Sequence, residues 1–142
     1  MRSSVSFKFV TEFVGADADE GILGIKGADW FVRRLQQIPE ITVVPNLIQD
    51  DWGVAILVTR KRRQFWFGLG VFGDDTWIAH LHRYPLGVLE YLLPPHKRQF
   101  DALLKEFHAV LATDPAISEI RWYEERDLRR STRKWAAYPN NA

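Results

Sequence analysis

An α+β fold, one mainly antiparallel sheet with helices packed on one face as a two-layer sandwich, is what this chain predicts, and three observations predict it. Asp50 to Tyr84 reads as three antiparallel strands joined by two tight turns, the first strongly basic. From His96 to Ala112, the residues Phe100, Leu103, Leu104, Phe107, Val110 and Leu111 fall on one face of a helix. Shorter alternating or β-branched runs at both ends of the chain supply further strands.

In chain order, Val5, Phe7 and Phe9 alternate with Ser6 and Lys8, a first strand that can run to Phe13. Gly21, Gly24 and Gly27 follow at intervals of three beside Asp17, Asp19 and Glu20. Their spacing suggests a phosphate loop, but no Gly-Lys-Ser/Thr follows and the neighbouring charge is acidic, so a loop leading into a helix is expected. Ala28 to Ile38 repeats Phe31, Leu35 and Ile38 at helical spacing with arginines and glutamines opposite, and Pro39 ends it. Ile41 to Val44 is a short strand stopped by Pro45.

The central ribbon pairs Trp52–Val58 with Phe65–Val71 around Arg60, Lys61, Arg62 and Arg63. With Lys61 and Arg62 in the turn, Val58 faces Phe65, Ile56 faces Phe67, Val54 faces Leu69 and Trp52 faces Val71, giving one apolar face for the core. The other face carries Gly53, Ala55 and Leu57 beside Trp66, Gly68 and Gly70. Strand glycines often mark a close approach by a ligand or another backbone, although strong twist or close helix packing also places them there. Thr76 to Tyr84 follows Gly73-Asp74-Asp75. A three-residue loop sends Trp77, Ala79 and Leu81 to the core and leaves Ile78, His80 and His82 beside the glycines; a two-residue loop buries both histidines, which is costly without partners. The longer loop is therefore expected, and with it a shallow trough floored by Gly68 and Gly70 and flanked by Trp66, His80 and His82.

After Pro85, the residues Leu86, Leu89, Leu92 and Leu93 suggest a short helical turn or a loop packed on the core, and Pro94-Pro95 precedes the long helix. That helix is expected to cover the apolar face of the sheet. Ile117 to Tyr123 is a last strand with Ile120 and Trp122 on one side. These elements make one domain over residues 1–123, with a basic, aromatic tail over 124–142 that packs on the domain or on a partner.

Composition sets the class. With 46% hydrophobic and 26% charged residues the chain is globular, and without cysteine it has neither disulfides nor thiolate metal sites, which fits a reducing, cytoplasmic setting. No apolar run is long enough for a signal peptide or a membrane span. The net charge of +1 gives no global pull towards nucleic acid or membranes. Its distribution is uneven, with eight acidic and five basic side chains in residues 1–59 and ten and fourteen in 60–142.

Four groups of residues are candidates for chemistry. His80 and His82, two apart on a strand, point the same way, but two ligands do not make a metal site, and no metal or other cofactor is expected. Asp50-Asp51 and Asp74-Asp75 stand at strand ends, where aspartate is an ordinary turn residue, and no Gly-x-Ser-x-Gly elbow is present, so no catalytic residue is assigned. The basic tip Arg60–Arg63, together with Arg129, Arg130, Arg133 and Lys134, could contact phosphates. Six tryptophans exceed what a small core needs: Trp52 and Trp77 suit the core, while Trp66, Trp122, Trp135 and Tyr138 are interface candidates.

Asp51-Trp52-Gly53, the basic turn and Phe65-Trp66-Phe67-Gly68-Leu69-Gly70 resemble small bacterial single-domain proteins, some of them similar to immunity partners of secreted toxins. The resemblance covers the central third of the chain and carries over no functional residue. It implies binding without catalysis, as in neutralising a toxin by covering its active site. The expected function is therefore a protein-binding module or homodimer of immunity or inhibitor type, with Trp66, Gly68, Gly70, His80, His82, Arg60, Arg62 and Trp135 as the binding residues. Two alternatives stay open: a small-molecule or metal-dependent enzyme near Trp66, His80 and His82, and nucleic-acid binding through Arg60–Arg63.

Overall fold

The computed structural model describes residues 2–9, 25–44, 48–50, 53–72, 76–128 and 134–139. Expectations that fall elsewhere lie outside the described residues: the run to Phe13, the glycines before Gly27, Trp52, the Gly73–Asp75 loop and Arg129, Arg130 and Arg133. The elements are β1 (Ser4–Phe9), α1 (Ile25–Gln36), β2 (Ile41–Val43), β3 (Ile48–Asp50), β4 (Gly53–Arg60), β5 (Arg63–Phe72), β6 (Thr76–Arg83), α2 (Val88–Leu92), α3 (Pro94–Thr113), β7 (Ile117–Tyr123) and α4 (Glu125–Leu128). Six strands run in the order β2-β4-β5-β6-β1-β7, with β3 also paired to β4, and every pairing is antiparallel. The fold is α+β.

The central ribbon has the expected register. Val58 pairs with Phe65, Ile56 with Phe67 and Val54 with Leu69, and all six are buried. Lys61 and Arg62 close the turn with φ of 46° and 66°. Positive φ at both central residues is the type I′ geometry whose twist matches that of the flanking strands. On β6, Trp77, Ala79 and Leu81 face the core, while Ile78, His80 and His82 pair across from Gly70, Gly68 and Trp66. Gly53 is a position that needs glycine, because its φ of 152° is poorly open to L side chains and a Cβ there would strike the Leu69 carbonyl.

Helices α1 and α3 both lie on the apolar face. Ala28, Phe31 and Leu35 are the buried stripe of α1, and Phe31 stacks on Phe107 of α3 at 5.3 Å between ring centroids. Phe107 in turn meets Phe67 edge-on at 5.2 Å, and Phe65 stacks on Phe100 at 5.6 Å. Aromatic contacts thus tie both helices to β5. Full burial of each such side chain is worth about 1.5–3 kcal/mol before entropy, so helix docking is what the sheet's apolar face is for. Gly27 lets α1 approach: a Cβ there would overlap the Trp77 indole. The last of the evenly spaced glycines is therefore a packing residue.

Strand β7 departs from simple alternation. Glu119 takes φ 53° and the β1–β7 register shifts between Ser6 and Lys8. This bulge re-phases the strand so that Ile117 opposes Phe9 and Trp122 opposes Val5, both on the core side. Trp122 is fully buried and its indole N–H donates to His108 Nδ1 at 3.1 Å. The expectation of an interface role for Trp122 is corrected accordingly. Beyond β7, Ala136 exchanges both backbone hydrogen bonds with Trp122, so residues 134–139 lie against the domain's own sheet.

Candidate protein-binding surface

The face of the sheet opposite α1 and α3 holds the predicted trough. Trp66 on β5 stacks on His82 of β6 at 4.2 Å with an interplanar angle of 19°, and the His80 and His82 ring centroids are 6.3 Å apart. Trp66, His80 and His82 are all half-buried, as the alternation requires. Burial lowers the His82 pKa, against the pull of Glu125 on α4, so its ring stays neutral at ordinary pH and stacks as an uncharged aromatic. His80 Nδ1 is paired with Ser4 Oγ at 2.8 Å, and the Ser6 hydroxyl donates to the Tyr123 hydroxyl at 3.3 Å.

The floor differs from the expectation. Gly68 and Gly70 are both buried, so a partner would meet the rim made by Trp66, His80 and His82 rather than bare glycine backbone. Ser4 is 2% exposed and engaged with His80, which makes this serine–histidine pair a structural tie between β1 and β6 and not an accessible nucleophile. Among the described residues no group of three His, Cys, Asp or Glu side chains is placed to hold a metal ion. A cleft of about 260 Å³ lined by Lys26, Asp29, Trp30 and Arg33 lies on α1, which packs on the opposite face of the sheet.

The basic tip divides in two. Arg60 shares its side of β4 with Ile56 and Val58, so it points towards the helices and is only 7% exposed. Its guanidinium grips Glu106 of α3 with two bonds of 2.8 and 2.9 Å and also donates to Gln99. The Glu106 hydrogen bond, with further help from Glu40, raises the Arg60 pKa despite burial. Arg60 is thereby removed from the binding residues: it locks α3 to the hairpin. Counting by twos from Val58 would have placed it there. Arg62, in the turn, is exposed. Trp135 is 54% exposed with the Arg121 guanidinium 5.1 Å above its ring, but it lies beyond β7, roughly 20 Å from Trp66 at about 4.8 Å per strand. The structure therefore does not bring Trp135 to the trough.

Among the described residues, the most exposed apolar side chains lie on residues 86–93, a stretch that the sequence does not mark as a site. Helix α2 forms where a helical turn was expected, yet none of its residues is buried. Leu86, Leu89 and Leu92 are 87%, 78% and 70% exposed, and Val88 and Leu93 also stand in solvent. What holds the segment is polar. Arg63 binds Glu90 at 3.0 Å, and Glu90 also accepts from the Leu86 N–H. Arg83 donates to the Tyr91 carbonyl at 2.6 Å, covers the Tyr91 ring at 4.0 Å and donates to His96 Nδ1 at 2.9 Å. The Leu86 amide and Arg63 hold the Glu90 carboxyl below its usual pKa, and burial next to Arg83 lowers that of His96. Both groups are thus in the states these bonds need near neutral pH. Because every polar handle faces inward, the aliphatic side chains of residues 86–93 form a ridge directed at solvent.

Rim and ridge are joined in sequence by half-exposed Tyr84, whose N–H donates to the Gln64 carbonyl, but Arg63 and Arg83, which hold α2, pair with Arg60 and Phe65 on the helix-covered face. A sequence signal for the ridge did exist: four leucines bracketed by Pro85 and Pro94, too few residues to reach the core and form a stripe of their own. No family model, curated protein or solved structure matches the chain.

Proposed function

We propose that this chain is a non-catalytic module that binds a protein partner, in the manner of an immunity or inhibitor protein. The observation that carries the reading is the aliphatic ridge of residues 86–93, which stands in solvent on a helix with no buried residue. Soluble monomers rarely expose contiguous apolar patches above a few hundred Å², and larger ones with polar surroundings mark interaction sites. The polar chemistry of the open face supports the same reading, since Ser4 is engaged with His80 and Ser6 with Tyr123.

The nucleic-acid alternative is weaker, because Arg60 is committed to Glu106 and Arg63 to Glu90, leaving Lys61 and Arg62 of the four tip cations. The test is capture from extracts of the source organism by the immobilised full chain, compared with Leu86→Asp/Leu89→Asp and Trp66→Ala variants. A protein retained by the parent and lost by the double variant, with folding temperature unchanged, is the expected result. Retention by both variants would remove the ridge and the rim from the binding surface.

A further inference from the structure

The surroundings of the ridge say what kind of partner fits it. Lys61 and Arg62 at the hairpin tip are brought beside α2 by the Arg63–Glu90 bridge, and Lys97 and Arg98 follow the ridge directly at the start of α3. All four are exposed, and none has an ion pair among the described residues. Glu90, the sole acid between Tyr84 and Arg98, is neutralised by Arg63. The ridge is therefore an apolar strip bordered on two sides by uncompensated positive charge.

Resting on the protein-binding reading above, we infer that the ridge seats in an apolar groove of a protein partner whose rim carries carboxylates, with Lys61, Arg62, Lys97 and Arg98 reading that rim. Three considerations select this occupant. A second copy of the chain would bring one basic border against another, which opposes self-association. An anionic bilayer would satisfy the charge, but a planar surface has no use for the fixed orientation that Arg63 and Arg83 impose on α2. A groove uses both: the ridge arrives preorganised, so little side-chain and loop ordering remains to be lost on docking, and the cations steer the encounter.

The experiment starts from a protein captured by the full chain and purified. Its affinity is measured against the parent, Leu86→Asp/Leu89→Asp, Lys61→Glu/Arg62→Glu and Lys97→Glu/Arg98→Glu, each first shown to melt as the parent does. The expected result is a loss of roughly tenfold or more for every variant and weaker binding as salt rises. A carbodiimide, which joins amines to carboxylates only where they touch, should link Lys61 or Lys97 to an aspartate or glutamate of the partner. A partner lost with the leucines but indifferent to both charge reversals and to salt would overturn the acidic rim while keeping protein binding. Capture of nothing would overturn both. Sedimentation of the parent with vesicles of equal phosphatidylcholine and phosphatidylserine, lost on Leu86→Asp/Leu89→Asp, would assign the ridge to membranes instead. A concentration-dependent dimer abolished by the same substitutions would assign it to a second copy.

Discussion

Leu86, Leu89 and Leu92 stand in solvent, whereas Leu103, Leu104 and Leu111, on the helix that begins two residues after Leu92, are within 1% of complete burial. The side chains are the same and the stretches are adjacent, so hydrophobicity cannot explain the difference. Length and anchoring can. Helix α3 spans twenty residues, enough for its apolar stripe to lie across β5 and β7, and Arg60 pins it to the hairpin through Glu106 and Gln99. Helix α2 has five residues, and Arg63 and Arg83 hold it by its polar groups. Burial follows from which side of an element its anchors take, and the ridge is what remains when the anchors take the inner side.

That contrast can be broken first by truncating one leucine on each side of it. Leu104→Ala is expected to cost about 2–5 kcal/mol of unfolding free energy, seen as a lower urea midpoint, because a fully buried side chain leaves a cavity. Gly27→Ala should cost about 1–3 kcal/mol by forcing α1 away from the Trp77 indole, measured in the same titration. Lys61→Asn/Arg62→Gly should act in the opposite direction, adding about 1–2 kcal/mol by relieving two positive-φ residues while weakening partner binding. Such a gain in stability with a loss of affinity would separate the basic border of the ridge from the fold.

Acid should lower the stability of the fold. His82, His96 and His108 have pKa values lowered chiefly by burial, with Arg83 also lowering that of His96. The unfolded chain therefore takes up protons near pH ~6.5 that the folded chain refuses, and stability falls as pH drops below that value. His96→Gln should flatten part of this slope in melting temperatures recorded across the imidazole range. The smallest effect is expected from Leu89→Ala, within about 0.5 kcal/mol of the parent in the urea titration, since an exposed side chain loses little. A larger loss would mean that the ridge packs on the molecule after all.

The central ribbon could be read from the sequence because its two-residue turn and period-two alternation constrain each other, down to the pairing of Val58 with Phe65. The facing of His80 and His82 followed from the cost of burying imidazoles without partners. Trp122 was misplaced because a bulge at Glu119 changes the phase of β7, and a glutamate in the left-handed region leaves no signature as a glycine would. Arg60 was misplaced by grouping it with its charged neighbours and not with its strand. The ridge was legible in composition and not in direction: the sequence shows that Leu86, Leu89, Leu92 and Leu93 are apolar, but only the contacts of Arg63 and Arg83 show which way they are turned.

The paired amide and carbonyl of Trp122 with Ala136 carry a consequence for handling the protein. Strand β7 is the outermost on its side of the sheet, and the returning tail occupies part of the hydrogen-bonding row that would otherwise invite another strand to add. Proteolytic trimming before Lys134 would unmask that row and leave the Trp122 amide and carbonyl open to a strand from another chain.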